Sequence, residues 1–92
     1  MPERLLEVSD LPPPEPLERA LQAVDSLVPG EYLRMLHRRE PRLLFPELQR
    51  RGCAWHMQAG RESAFEIYIW RREDRPACEE AAGAASARRA RD

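Results

Sequence analysis

Apolar residues along most of this chain recur at spacings that predict alternating strands and helices. A helix is predicted over about residues 14–27, behind a cluster of prolines, because four aliphatic residues recur there at helical intervals: Leu17, Leu21, Val24 and Val28. Pro29-Gly30 ends this pattern. A second helix is predicted over about residues 43–51, since Pro46 fits only in a first helical turn and Gly52 can end the helix.

Four short runs alternate apolar and polar residues with the period of a β-strand. They cover about residues 4–8, 32–37, 53–58 and 64–71, and the last two runs are joined through a turn at Gly60. One side of each run is expected to face the core, and the residues on that side are Leu6, Val8, Leu33, Met35, Cys53, Trp55, Met57, Phe65, Ile67 and Ile69.

The order of these elements, β-α-β-α-β-β, predicts the fold of residues 1–71. Connections of the strand–helix–strand type between parallel strands are almost always right-handed, so both helices are expected on one face of a four-stranded mixed sheet. The expected architecture is therefore an α+β two-layer sandwich, with the other face of the sheet open to solvent.

Residues 72–92 are predicted to form a disordered tail rich in Ala, Arg and Glu. Trp70 is the last large apolar residue of the chain. The segment that follows has no stripe of large apolar side chains with which a helix could dock, and it cannot bury enough apolar surface to offset the loss of chain entropy.

Composition narrows the class of protein. A length of 92 residues allows one domain, and no apolar run approaches the roughly 20 residues of a membrane span. The first residues, MPERLLEVSD, lack the apolar stretch of a signal peptide, and Cys53 and Cys78 are too few for a disulfide framework, so we expect a cytoplasmic protein. A net charge of -1 lacks the basic excess typical of nucleic-acid binders; neither nucleic acid nor membrane is an expected partner.

Three motifs agree in order and spacing with one known family. They are Leu11-Pro12-Pro13-Pro14-Glu15-Pro16, the helix end Leu27-Val28-Pro29-Gly30-Glu31, and His37-Arg38-Arg39-Glu40-Pro41 running into Phe45-Pro46-Glu47-Leu48 and Arg51-Gly52. Over about residues 4–71 the chain therefore resembles a bacterial family known as domain of unknown function 2249. That family is in turn similar to the TusA/SirA sulfur carriers, in which a Cys-Pro-x-Pro motif opens the first helix and its cysteine carries a persulfide.

The resemblance implies the fold of the carriers without their chemistry. Pro14-Glu15-Pro16 matches the Pro-x-Pro part of the carrier motif, but Pro13 stands at the position of the sulfur-bearing cysteine. Proline has no thiol, so persulfide transfer at this position is not expected. We accordingly expect no sulfurtransferase activity, no catalytic residues and no enzyme.

Two loops at one edge of the predicted sheet form the main candidate binding site. Ligands of open α/β sheets bind at such edges, rigid loops lose little entropy on binding, and guanidinium groups suit carboxylate or phosphate. We therefore predict a module without a cofactor that binds a protein partner or a small anion. A purely structural interpretation, in which acidic residues of one loop pair with arginines of the other, stays open. The candidate residues are Asp10, Pro13, Pro14, Glu15 and Pro16 in the first loop, and His37, Arg38, Arg39, Glu40 and Arg42 in the second.

Two further hypotheses concern other parts of the chain. A sulfur or redox relay would act through Cys53 or a bound metal, although His37, His56 and Cys53 are too scattered to form a recognisable metal motif. Tyr68 and Trp70, together with His56, are expected on the open sheet face, where exposed aromatic residues suit a protein surface. The chain is expected to be a monomer or a weak homodimer.

Overall fold

A computed structural model describes residues 2–90 as a four-stranded mixed sheet between two helical layers. The strands lie in the order β1-β2-β4-β3; β1 is parallel to β2, and the other neighbouring pairs are antiparallel. This confirms the predicted mixed sheet and the predicted order of the first six elements, to which the structure adds a third helix. The elements are β1 (Glu3–Glu7), α1 (Glu15–Asp25), β2 (Tyr32–His37), α2 (Leu44–Arg50), β3 (Cys53–Ala59), β4 (Phe65–Arg71) and α3 (Arg75–Ala90).

The main core lies between the sheet and the pair α1 and α2. The inward strand residues predicted from the alternation all belong to this core, either fully buried or packed against it. Val28 is the exception among the predicted helix residues, with 54% of its surface exposed. Helix α1 ends at Asp25, so the helical period no longer holds at residue 28, and Leu27 is buried instead.

The expectation of a disordered tail is wrong for residues 75–90, which form α3 on the second face of the sheet, whereas residues 91 and 92 of that predicted tail lie outside the described range. Ala77, Ala81 and Ala85 are four residues apart and therefore share one side of the helix, where all three are buried. Ala81 and Ala85 pack in one cluster with Tyr32 and Tyr68. Small side chains let a helix lie close to large aromatic ones, so an alanine stripe docks α3 where larger apolar residues are missing.

Asp74 fixes the start of α3. Its carboxylate accepts a hydrogen bond from the backbone N–H of Ala77 at 3.1 Å, as a helix N-cap residue does, and another from the N–H of Gly30 at 2.7 Å. Pro76 lies in the first turn, where its missing N–H is tolerated. The Asp-x-Pro sequence therefore marks a helix start, a signal that composition alone does not reveal.

The second face of the sheet is consequently covered, which corrects the expectation that it is open to solvent. Tyr68 is fully buried, while His56 and Trp70 are half-buried beside α3. Among residues 2–90, no helix combines the length and the apolar character needed to cross a bilayer.

Candidate functional site

The two candidate loops meet in a groove of about 280 Å³ at one edge of the sheet. We call it the proline–arginine groove. Seven of the ten residues predicted for this edge line it, whereas Asp10, Glu15 and Arg38 lie outside it. The seven are Pro13, Pro14, Pro16, His37, Arg39, Glu40 and Arg42, and the lining is completed by Leu17, Pro41, Leu43 and Leu44.

Leu43 was not expected at this site. It immediately precedes α2 and is 76% exposed, the most exposed of the large apolar residues that the structure describes. Leu44, the next residue, is buried in the core. The sequence signal is the apolar run Leu43-Leu44-Phe45, because three consecutive residues span about 200° of a helix surface and cannot all face the core. Leu43 therefore presents its side chain to solvent within a groove lined largely by proline and leucine.

His37 closes β2 at the edge of the groove and is buried. The backbone N–H of Arg38 donates a hydrogen bond to its Nδ1 at 3.0 Å, so the ring is neutral and carries its proton on Nε2. Burial lowers the pKa of His37, the charges of Arg38 and Arg39 lower it further, and Glu7 opposes them only weakly. The imidazole is thus a neutral hydrogen-bond donor at pH 7.

Among the described residues, the arginines of the second loop have almost no acidic partners. Neither Arg38 nor Arg39 forms a salt bridge with any residue in the range 2–90, and Arg42 approaches only Glu40, at 3.8 Å. Glu15 pairs instead with Arg19 within α1, at 3.9 Å. The structural interpretation, with the two loops joined by ion pairs, therefore has no counterpart in this part of the chain.

The start of α1 contributes shape to the groove but few donors. The Pro13–Pro14 peptide bond is cis, and α1 begins at Glu15 with a further proline at its second position. Because proline has no N–H, this helix start lacks the backbone donors that commonly bind anions. The positive charge of the groove is therefore supplied by the arginines that line it, Arg39 and Arg42.

The residues considered for sulfur or metal chemistry are not brought together. Cys53 is fully buried, and burial raises the pKa of its thiol despite the positive charges of Arg71 and Arg51. Cys78 is half-buried on α3. No group of three or more potential metal ligands occurs within the described range. Cys53 therefore lacks the accessible thiolate that a reactive site requires.

A buried polar layer under α3 was missed by sequence reasoning. Arg34 of β2 is 5% exposed, and its Nη2 donates to Glu66 at 2.8 Å and to Glu62 at 3.0 Å. Tyr68 also donates to Glu66, at 3.0 Å. These residues are far apart in sequence, and only the pairing of β2 with β4 brings them together. The sequence signals are two charged residues within largely apolar strand runs, Arg34 in β2 and Glu66 in β4.

Arg88 connects this layer to α3. Its guanidinium forms an ion pair with Glu3 at 3.1 Å and donates to the hydroxyl of Tyr68 at 3.4 Å. The hydroxyl of Tyr32 donates to the same carboxylate at 2.7 Å. The polar layer therefore positions the helix above the sheet.

Comparison with known proteins gives one match. A family model described as "Uncharacterized conserved protein (DUF2249)" matches residues 5–71, which confirms the family predicted from the three motifs. Helix α3 lies outside the matched range. No curated protein and no solved structure matches the chain, so the similarity to the TusA/SirA carriers stays a prediction.

Proposed function

The chain belongs to the DUF2249 family of uncharacterised conserved proteins, and from this premise we propose that it is a non-catalytic module that binds a partner protein in the proline–arginine groove. The observation that carries the proposal is the exposed Leu43 in the same groove as Arg39, a guanidinium without a salt bridge to residues 2–90. Exposed apolar surface rimmed by charge is typical of protein interaction sites.

The size of the groove favours a polypeptide segment over a cofactor. Its volume of about 280 Å³ lies below the range of about 300–1,000 Å³ that is usual for small-molecule sites. One or two side chains fill such a space. The prolines around it hold the backbone rigid, so little conformational entropy is lost when a partner docks.

The charge of the groove specifies the partner's chemistry further. Arg39 and Arg42 lie at its edge, and only Glu40 opposes them. We infer a partner segment that presents an apolar side chain to Leu43 and an acidic residue to the arginines, since guanidinium groups bind carboxylates with two parallel hydrogen bonds. Burial of Cys53 favours this binding role over the sulfur or redox relay, because a protonated, inaccessible thiol is a poor sulfur acceptor.

The test begins with capture of partners from the native host. A partner retained by the wild-type protein is purified and titrated against both the wild type and a triple variant, Arg38→Ala/Arg39→Ala/Arg42→Ala. We expect the triple variant to raise the Kd at least about tenfold, because charge-assisted contacts are lost. A control that removes the same charge elsewhere, Arg19→Ala/Arg50→Ala/Arg75→Ala, is expected to leave the Kd within about twofold.

The apolar half of the groove is tested separately with Leu43→Ala. Loss of the buried leucine contact is expected to raise the Kd of the same partner about tenfold. Val28→Ala is the matched control, since Val28 is also largely exposed but lies after the far end of α1. Equal binding by Leu43→Ala and Val28→Ala contradicts the proposal. Inorganic phosphate is titrated in the same way. If the triple arginine variant loses phosphate binding but retains the partner, the groove is assigned to a small anion instead.

A further inference from the structure

A second cleft lies on the opposite face of the sheet, between α3 and the edge strand β3, and has a volume of about 360 Å³. We call it the tryptophan cleft. None of the residues that line it belongs to the proline–arginine groove, so nothing argued for it depends on the proposed function. The lining residues are Trp55, His56, Trp70, Ala82, Ala85 and Arg89.

The cleft exists because α3 presents small side chains to the edge of the sheet. Ala82 and Ala85 form the helix side, where a larger residue would fill the space. The sheet side carries three residues with flat rings: Trp55, whose indole stacks on Phe45, and Trp70 and His56, which are both half-buried. Aromatic rings at the wall of a narrow cleft favour stacking with another planar group.

Gln58 holds this arrangement in place. Its side-chain amide nitrogen donates to the backbone carbonyl of Ala85 at 3.1 Å, which ties β3 to α3. Its oxygen lies 3.0 Å from Nε2 of His56 and can only accept, so Nε2 is the donor of this hydrogen bond. The orientation of the imidazole is therefore set before any ligand arrives, which reduces the entropy cost of binding.

Arg89 supplies the charge of the cleft. It is exposed and forms no salt bridge with any other residue between positions 2 and 90. Glu66 and Glu3, the acidic residues of the sheet beneath α3, are already paired with Arg34 and Arg88. Glu79 and Glu80 of α3 precede Arg89 by more than two helical turns. Within the described range, Arg89 is therefore a cation that can attract an anion to the cleft.

We propose that the tryptophan cleft binds a small planar aromatic anion, with its ring stacked on Trp70 and its acidic group on Arg89. The volume is at the lower end of the range for small-molecule sites and suits a ligand of one or two rings. The anionic group is a carboxylate or a phosphate ester, since a guanidinium binds both.

The test uses 1-naphthoate and adenosine monophosphate in parallel titrations of the full-length protein, followed by NMR of backbone amide and tryptophan indole signals. The proposal predicts saturable shifts at the Trp70 indole N–H and around His56 for at least one probe. The probe that binds more tightly identifies the acidic group. Absence of saturable shifts for both probes, or the largest shifts at Leu43 and Arg39, overturns the proposal.

Two variants on α3 test the cleft at exposed positions, where a substitution is not expected to prevent folding. Ala82→Leu is expected to fill the cleft and weaken binding at least about tenfold, because it occupies the stacking space. Ala87→Leu, exposed and outside the cleft, is expected to have no effect. Equal binding by these two variants overturns the proposal.

The charge requirement has its own pair of variants and its own ligand control. Arg89→Ala is expected to weaken binding about fivefold, as loss of an exposed ion pair does, whereas Arg75→Ala at the start of α3 leaves it unchanged. The neutral analogue 1-naphthalenemethanol is expected to bind the wild type and Arg89→Ala equally, with about the affinity that 1-naphthoate has for Arg89→Ala. Binding of the neutral analogue as tight as that of 1-naphthoate overturns the assignment of an anion.

Discussion

At the scale of single residues, Arg34 and Glu66 are the most deeply buried charged residues of the described structure. Arg34 is 5% exposed and Glu66 is 2% exposed, so both charges have left water. Burying an ion pair is tolerated only when the partners also satisfy each other's hydrogen bonds. Glu66 meets this condition with bonds from Arg34 and Tyr68, whereas Nε of Arg34 has no partner among the described residues. The stability of the buried pair therefore depends on each hydrogen bond that Arg34 and Glu66 do form.

We predict that Glu66→Gln lowers the free energy of unfolding by about 3 kcal/mol, because it leaves Arg34 buried without its closest countercharge. Glu62→Gln is the matched control. Glu62 accepts from the same Nη2 of Arg34, but its side chain is exposed, so its loss is expected to cost less than about 1 kcal/mol. Urea unfolding monitored by circular dichroism measures both values. Equal costs for the two variants contradict the role given to burial.

The same pair predicts how stability responds to acid. Burial raises the pKa of Glu66, but the hydrogen bonds from Arg34 and Tyr68 lower it more, so the net pKa lies below the ordinary value. A carboxyl group with a lowered folded pKa stabilises the protein above its unfolded pKa of about 4.3. This contribution is lost as the pH falls through the lower, folded pKa. Urea midpoints measured from pH 6 downwards are expected to show a steeper acid loss for the wild type than for Glu66→Gln.

At the scale of elements, periodicity predicts the first six well and the seventh not at all. The proline cluster locates α1, and alternation locates the four strands. Helix α2 is located by Pro46 in its first turn and by Gly52 just after its end. The same reasoning misses α3, because alanine is not a large apolar residue. A stripe of alanines therefore cannot be distinguished from the surface of a solvent-exposed helix. What docks α3 is the shape of Tyr32 and Tyr68 on the sheet, together with Arg88, and these contacts join residues far apart in sequence.

We predict that Asp74→Ala lowers the free energy of unfolding by about 1–2 kcal/mol, because α3 loses its N-cap and Gly30 loses an acceptor. The loss is expected to be concentrated in α3, with faster amide hydrogen exchange over residues 77–85 than in the wild type. Asp10→Ala removes the same charge from an exposed position and is expected to change neither measurement. Unchanged exchange in α3 of Asp74→Ala is the result that contradicts this account.

At the scale of the whole molecule, the sheet has two faces of different chemistry. The face under α1 and α2 is apolar, and its residues follow from the alternation of the strands. The face under α3 contains tyrosines and paired charges, and all six residues of β2 are buried because the strand is covered on both sides. A strand buried on both sides no longer alternates between buried and exposed positions, so the pattern indicates only one of the two layers.

The candidate groove was predictable from topology in the same partial way. The order β-α-β places the loop before α1 and the loop after β2 at one edge of the sheet, and this juxtaposition brings the prolines to His37 and Arg39. The exposure of Leu43 depends on where α2 begins, which residue spacing predicts only approximately. The charges and the prolines of this site were therefore predictable, and its exposed leucine was not.

The central claim is that the proline–arginine groove receives an acidic, partly apolar segment of a partner protein. A photo-crosslinking residue placed at position 43, and in a matched sample at position 28, tests it in the native host. We predict one predominant adduct from position 43, absent from position 28, with mass spectrometry locating the crosslink beside an apolar residue flanked by Asp or Glu. The same adduct is expected to disappear when Arg38, Arg39 and Arg42 are replaced by alanine. Adducts of equal yield at both positions, or a crosslink within a basic segment, contradict the claim.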